Sequence, residues 1–86
     1  MGKTLYSHEQ QQLSIALLQA RLDAGLRQTD LARLLGKPQS FVSDIESGQR
    51  RVDVVELRHI CQHLGLPLSE FIARWESHLW DNTTKD

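Results

Sequence analysis

Four isolated glycines, at positions 25, 36, 48 and 65, constrain the fold of this 86-residue chain more than any other feature. Each follows a segment whose apolar residues recur at helical spacing, and glycine permits the left-handed backbone that commonly ends a helix. No segment alternates apolar and polar residues with a period of two, and no Asn-Gly or Asp-Gly pair marks a hairpin. The sequence therefore predicts an all-α chain of five helices and no strands.

Capping residues place the helices between these glycines. Ser7 followed by Gln10 forms a capping box for the first helix, Pro38 suits the first turn of the third, and Asp53 is a good N-cap for the fourth. The predicted helices span about 7–24, 28–35, 38–47, 53–64 and, from residue 67 or 68, to 80. The residues predicted to face the core are Leu13, Leu17, Ala20, Ala24, Leu31, Ala32, Leu35, Val42, Ile45, Val54, Leu57, Ile60, Cys61, Leu64, Phe71, Ile72, Trp75 and Leu79.

Length and composition indicate one small domain, assigned to residues 1–80, with a polar tail over 81–86. The apolar runs are a few residues long, far short of the roughly 20 that span a bilayer, and the N-terminal segment lacks an apolar stretch of signal-peptide length. The single cysteine, Cys61, cannot form an internal disulfide, which fits a reducing compartment. We expect a cytoplasmic protein without membrane association.

The net charge of −1 is unevenly distributed. Residues 27–51 carry five basic and three acidic side chains, whereas residues 52–86 carry three basic and six acidic ones. The weak overall charge argues against a generic polybasic binder of nucleic acid. A nucleic-acid surface is therefore expected in the basic middle of the chain.

Helices two and three, joined by a short turn that contains Gly36, form a helix-turn-helix arrangement. Because a helix advances about 100° per residue, the polar side chains of helix three share one face, and Val42 and Ile45 point away from it. The outward residues are Gln39, Ser40, Ser43, Asp44 and Ser47. A solvated face usually carries Lys and Glu, so these short amide and hydroxyl groups favour readout of a partner over simple solubility.

A longer set of residues around this helix pair matches a known pattern. The set comprises Arg21, Gly25-Leu26-Arg27-Gln28, Leu31-Ala32, Leu35-Gly36, Pro38-Gln39-Ser40-Phe41-Val42-Ser43, Ile45-Glu46-Ser47-Gly48, Arg50-Arg51 and Leu64-Gly65-Leu66. Through these residues the segment from 15 to about 72 resembles the Cro/cI phage-repressor class of helix-turn-helix domains, also called the XRE family. The resemblance implies a compact five-helix bundle, a lambda-repressor-like DNA-binding domain, whose third helix enters the DNA major groove, usually from a two-fold dimer.

The resemblance also implies roles for single residues. Gln28 resembles a glutamine that anchors a phosphate at the start of helix two, where free backbone N–H groups favour an anion. Gln39 resembles the first base reader, since an amide can pair with adenine N6 and N7, and Ser40 and Ser43 lie where bases or phosphates are contacted. The alternative for Gln28 and Gln39 is an ordinary polar side chain in a first helical turn. The basic residues expected to neutralise phosphates, or else to form a solvated basic corner, are Lys37, Arg50 and Arg51.

Arg21 and Glu46 resemble a partly buried ion pair that joins helix one to helix three, a structural role. Two positions depart from the family pattern. Asp44 stands where a basic or amide residue is common, and its carboxylate needs a donor there, such as cytosine N4 or an arginine on this chain or across a dimer. Arg27 stands where Ser or Thr commonly caps helix two, so either Thr29 caps a slightly later start or Arg27 reaches a phosphate.

A second apolar stripe lies on helix one, outside its predicted core face, and the long helix five ends in further apolar residues. Either helix five folds back over this stripe, or the stripe is an exposed patch that forms a dimer or binds another protein, and the two readings are compatible. The candidate interface residues are Ile15, Leu18, Leu22, Trp75, Leu79 and Trp80.

Together with these patterns, the resemblance implies a sequence-specific regulator of transcription that binds double-stranded DNA in the prokaryotic nucleoid. In the leading interpretation it is a homodimeric repressor without a separate effector domain. The alternative is an antitoxin-type interaction protein that holds a partner protein through helices one and five. A weaker third reading is a helix-turn-helix that has lost DNA binding, for which Asp44 is the only hint.

Other chemistry is poorly supported by the sequence. Glu56, His59 and His63 share one face of helix four but lack a further ligand, so we expect no metal site. Cys61 has no His–Asp pattern around it and is expected to be a small core residue. No glycine-rich phosphate loop or pair of carboxylates indicates catalysis, so neither an enzymatic activity nor a cofactor is expected.

Overall fold

The computed structural model describes residues 7–84, with side chains described through residue 80, and contains five helices and no strands over that range. The helices are α1 (His8–Asp23), α2 (Gln28–Leu35), α3 (Gln39–Glu46), α4 (Val54–His63) and α5 (Leu68–Thr84). The predicted all-α five-helix bundle is confirmed. None of the described helices is long and apolar enough to cross a membrane.

Side-chain caps fix two of the helix starts. The Ser7 hydroxyl accepts a hydrogen bond from the Gln10 backbone N–H at 3.1 Å, which starts α1 as predicted. At α4, Asp53 Oδ1 accepts from the Glu56 backbone N–H at 2.8 Å, and Glu56 Oε1 accepts from the Asp53 backbone N–H at 3.2 Å. This reciprocal capping box sets the position of the Glu56 carboxylate as well as the direction of the helix.

Gly36 sets the turn between α2 and α3. Its backbone is left-handed, with φ 69° and ψ 33°, a conformation in which a side chain is strained. The Lys37 backbone N–H then donates to the Ala32 carbonyl at 2.9 Å, which satisfies an otherwise unpaired group at the end of α2. Pro38 occupies the N-cap position, so α3 begins at Gln39, one residue later than predicted.

The core lies where α1, α2 and α4 meet α3 and α5. α1 packs against α3 and α5, α2 packs against α3 and α4, and α4 also contacts α5. The buried apolar residues are Leu17, Ala20, Leu31, Ala32, Val42, Ile45, Leu57, Ile60, Cys61 and Phe71. This cluster fastens α3 by one face only, which leaves its other face outward.

Two of the predicted core residues are exposed. Ala24 is the C-cap residue, directly after the last residue of α1, and it is exposed there. Val54 is 64% exposed because it lies in the first turn of α4, one turn before Leu57, where the buried face begins. Helical spacing assigns a face correctly, but it does not show where along the helix a neighbour stops.

α5 is the longest helix and continues to Thr84, four residues into the segment predicted as a polar tail. It is tied to α1 by the Trp75 indole N–H, which donates to the Glu9 carbonyl at 3.1 Å. Lys85 and Asp86 lie outside the described residues, and the division of the chain at residue 80 stays a prediction.

Candidate nucleic-acid interface

The outward face of α3 is formed by the polar residues singled out in the sequence. Val42 and Ile45 are buried, which fixes the rotation of the helix about its own axis. The residues left on the opposite side are Gln39, Ser40, Asp44 and Ser47, all exposed, and Ser43, which is half-buried. The helix therefore presents short amide, hydroxyl and carboxylate groups without a large apolar side chain among them.

A buried ion pair anchors the end of α3 to α1. Arg21 Nε donates to Glu46 Oε2 at 2.6 Å and Arg21 Nη2 donates to Glu46 Oε1 at 3.0 Å, with side-chain exposures of 8% and 7%. The third guanidinium nitrogen, Nη1, donates to the Leu26 carbonyl at 2.8 Å. Both charges are thus paired and hydrogen-bonded, the condition under which a buried ion pair is tolerable. The pair joins α1 to the end of α3, and its structural role stays a prediction.

Two of the candidate DNA-contacting residues are linked to that ion pair. Gln28 Nε2 donates to Glu46 Oε1 at 2.9 Å, and Gln39 Nε2 donates to Gln28 Oε1 at 3.1 Å. A continuous chain of hydrogen bonds therefore runs from Arg21 to the first residue of α3. It orients the Gln39 amide at the exposed surface and holds Gln28 at the start of α2, beside free backbone N–H groups.

The serines of α3 are less constrained. The Ser43 hydroxyl donates to the Ser40 carbonyl and the Ser47 hydroxyl to the Asp44 carbonyl, each at 3.3 Å and within the helix. These long local bonds leave the hydroxyl groups available to an external donor or acceptor.

The Asp44 carboxylate is exposed on the same face, and it forms no ion pair with the side chains described for residues 7–80. The described residues therefore include no arginine that pairs with Asp44, one of the partners suggested by the sequence. The Asp44 backbone carbonyl has a separate role, because it accepts from the Gln49 and Arg50 backbone N–H groups at 2.8 and 3.1 Å and turns the chain out of α3.

The basic residues around α3 differ in their surroundings. Lys37 Nζ lies 5.3 Å and Arg50 Cζ 4.7 Å from the centroid of the Phe41 ring, so cations from before and after α3 meet at one aromatic side chain. Arg50 also pairs with Glu56 at 2.7 Å, whereas Arg51 is exposed. The sequence reasoning missed the parts played by Phe41 and Glu56. The spacing Asp53 to Glu56 signals a capping box, but it does not show that the same carboxylate holds Arg50.

Comparison with known proteins decides the family. Residues 17–71, well over half of the chain, match the helix-turn-helix family. The chain belongs to this family. An XRE-family-like protein from Pseudomonas syringae pv. tomato is 39% identical and superposes with a TM-score of 0.78, over 88% of this chain and 93% of that one. The protein is accordingly an XRE-type helix-turn-helix DNA-binding protein.

Two further relatives have lower sequence identity to this chain. The clp gene regulator ClgR from Corynebacterium glutamicum is 20% identical, with a TM-score of 0.81 over 92% of this chain and 84% of that one, and shows the shared fold alone. A cyanate hydratase from Laccaria bicolor is 33% identical over 69 residues, which cover 80% of this chain but 42% of that protein. The chain thus spans less than half the length of that relative.

Arg27 caps α2 of this XRE-type protein without a capping acceptor of its own. The Asp30 carboxylate accepts from the Arg27 backbone N–H at 2.9 Å and binds its guanidinium at 3.1 and 3.0 Å, so α2 starts at Gln28 and the proposed cap by Thr29 is wrong. The hydrogen bond from the Arg27 side chain, followed by that from its backbone, lowers the pKa of Asp30 to about 2. The same pairing raises the pKa of Arg27.

The candidate interface residues divide into two groups. Ile15 and Leu22 are each 53% exposed and Trp80 is also exposed, whereas Leu18, Trp75 and Leu79 are half-buried. α5 therefore packs on α1 without covering the second apolar stripe. Beside Ile15, a groove of about 350 Å³ separates α1 from the end of α3 and is lined by Gln10, Gln11, Ser14, Ile15, Glu46, Ser47 and Gly48.

No three His, Cys, Asp or Glu side chains of the described residues come together in an arrangement that could hold a metal ion. The carboxylate of Glu56, which the sequence placed near His59 and His63, instead binds Arg50 and the start of α4. Cys61 is buried, and its burial raises the pKa of the thiol to about 11.

Proposed function

We propose that the protein is a transcriptional repressor that acts as a homodimer and reads the major groove of double-stranded DNA with α3. The observation that supports the proposal is the fixed position of α3. The helix is buried through Val42 and Ile45, and its last residue, Glu46, is paired with Arg21 of α1. A helix fixed in this way can hold short polar groups at defined positions against base edges.

In this proposal the residues in and around α3 contact different parts of the DNA. Gln39 pairs with a base through its amide, and Ser40 and Ser43 contact bases or phosphates. Asp44, which has no ion-pair partner in the described part of the chain, accepts from cytosine N4 or from a partner protomer. Gln28 anchors a phosphate at the start of α2. The proposed phosphate-neutralising residues are Lys37, Arg50 and Arg51.

The experiment that tests this proposal is selection of bound duplexes from a random pool at near-physiological salt, where phosphate contacts alone do not dominate. An enriched inverted repeat with half-sites about one helical turn apart is the expected result. Placing that repeat over a promoter should then lower expression of a reporter gene. No enrichment by folded protein would contradict the proposal.

The selected site allows the base readers to be tested singly. Gln39→Ala and Ser43→Ala should each weaken binding by about 1–3 kcal/mol for a good base contact and relax the preference at one position. Gln62→Ala removes the same amide as Gln39→Ala from an exposed position on α4 and should leave both affinity and preference unchanged. Unchanged binding by the Gln39 and Ser43 variants would exclude them as readers.

A second candidate function, an antitoxin-type protein that binds a partner protein, is favoured by the exposure of Ile15 and Leu22. Ile15 lines the groove at the end of α3, so a protein bound there would adjoin the DNA-facing helix. Purification from the native host should then yield a second protein in stoichiometric amount, and Ile15→Glu should release it while DNA selection stays intact. A single species without a partner would favour the self-sufficient repressor.

We infer no enzymatic activity. The similarity to cyanate hydratase covers less than half of that protein, and the segment it covers here includes the helix-turn-helix. On this reading the two proteins share a domain and not a catalytic chemistry.

A further inference from the structure

Arg50, the first basic residue after α3, is held by two neighbours at once. Its Nη2 donates to Glu56 Oε2 at 2.7 Å, and its guanidinium carbon lies 4.7 Å from the centroid of the Phe41 ring. The Arg50 and Glu56 side chains keep exposures of 41% and 31%, so the pair lies at the surface and within reach of a polyanion.

The Glu56 carboxylate is not free to follow Arg50. Its other oxygen, Oε1, accepts from the Asp53 backbone N–H, and the Glu56 backbone N–H is bound by Asp53 in return. These two bonds start α4 and fix the carboxylate in place. If a phosphate binds the Arg50 guanidinium, it must therefore share the cation with a fixed negative charge or displace that charge.

Lys37 provides a contrast at the same aromatic ring. Its ammonium lies 5.3 Å from the Phe41 centroid and forms no ion pair with the side chains described for residues 7–80. Of the two cations beside Phe41, one is therefore compensated by a carboxylate and the other is not. The position of Glu56 reduces the positive charge next to α3 without altering any residue of its outward face.

We propose that Glu56 competes with DNA phosphates for Arg50 and thereby limits sequence-independent binding. The inference rests on the proposed function, in which α3 faces DNA. Sequence-independent affinity comes from cation–phosphate contacts and the counterions they release, so a cation already paired within the protein contributes less. Glu56 acts in this way without touching DNA, which makes it a specificity-determining residue on α4.

The test is Glu56→Gln, measured by binding to a duplex of random sequence over a range of salt concentrations. Glutamine also serves in a capping box, so the start of α4 is retained and the fold can be checked by circular dichroism. We expect affinity to rise about two- to five-fold at low salt, the range for a partly exposed ion pair. The slope of log K against log salt should become steeper by up to about 0.9, the increment for one phosphate contact.

Glu70→Gln is the matched control. Glu70 pairs with Arg74 on α5 at 2.9 Å, with side-chain exposures of 53% and 46%, so the variant makes the same change in net charge and breaks a surface ion pair away from α3. It should leave the affinity and the salt slope close to those of the wild type. An equal gain in both variants would show that net charge alone is responsible and would overturn the inference.

A third variant assigns the effect to Arg50. Adding Arg50→Gln to Glu56→Gln should abolish both the gain in affinity and the steeper slope. A gain that persists without Arg50 overturns the inference, as does a Glu56→Gln protein that binds DNA equally or more weakly than the wild type. Failure of the folded wild-type protein to bind any duplex is a distinct result, which overturns the proposed function together with the inference.

Discussion

Removing Arg21 from the buried pair with Glu46 should destabilise the fold severely. Arg21→Met fills similar space without charge, and it leaves the Glu46 carboxylate at 7% exposure with the Gln28 amide as its remaining donor. Breaking a buried pair in this way costs about 3–5 kcal/mol because the remaining charge is uncompensated. The Leu26 carbonyl also loses its donor.

The size of that loss is large for a chain of this length. At roughly 0.05–0.15 kcal/mol per residue, the free energy of unfolding of 86 residues is about 4–13 kcal/mol. A loss of about 3–5 kcal/mol lowers the melting temperature by roughly 12–40 °C in a domain of this size. Urea unfolding followed by far-ultraviolet circular dichroism measures the free energy, and a thermal scan measures the midpoint.

Two companion variants separate charge from packing. Arg21→Met combined with Glu46→Met removes both charges and should recover much of the lost stability, since an apolar pair of similar volume is often no worse than a buried ion pair. Arg74→Met, which breaks exposed pairs with Glu70 and Asp23, should cost less than about 1 kcal/mol. If Arg21→Met costs no more than Arg74→Met, the reasoning from burial is wrong.

Three further predictions concern the described helices. Pairing with Arg27 lowers the pKa of Asp30 to about 2. The stabilisation from this pair should therefore be fully present above the ordinary aspartate pKa of about 4 and should be lost as the pH falls toward 2. In a carboxyl NMR titration Arg27→Ala should return the Asp30 pKa toward its ordinary value, and an unmoved pKa would contradict the assignment. The buried Cys61 thiol, with its pKa raised to about 11, should react with a disulfide reagent at pH 8 only on unfolding, and rapid labelling of the native protein would refute this. Gly36→Ala should cost about 1–2 kcal/mol in urea unfolding through its left-handed backbone alone, because an added Cβ meets nothing within 4 Å, and a neutral result would show that the turn relaxes.

The helices could be predicted because their signals are local. The Ser7 and Asp53 caps and the left-handed glycines at 25, 36 and 65 act within one turn of the chain, and the structure has each of them where the sequence placed it. The outward face of α3 followed from helical periodicity for the same reason. Its contacts with DNA remain predictions, because a periodic pattern identifies a face and does not show what binds to it.

What the sequence did not reveal depends on how the turn before α3 and the loop after it fold. Phe41 receives Lys37 and Arg50 only because α3, its preceding turn and its following loop converge, and Glu56 reaches Arg50 only because the loop folds back to α4. The exposure of Val54 has a similar cause, since the end of a helix is exposed or covered according to how far its neighbours extend. Neither kind of information is carried by spacing along one helix.

The chain of hydrogen bonds from Arg21 through Glu46 and Gln28 to Gln39 also sets how the domain can be retargeted to a new operator. Any replacement at Gln39 must either keep a donor for Gln28 or leave that amide short of a partner, so changes there disturb the scaffold as well as the readout. The Ser40 side chain takes no part in this chain of hydrogen bonds, and the Ser43 hydroxyl bonds only within α3. Libraries for altered operator preference should therefore vary Ser40, Ser43 and Asp44 first and keep Gln39 fixed.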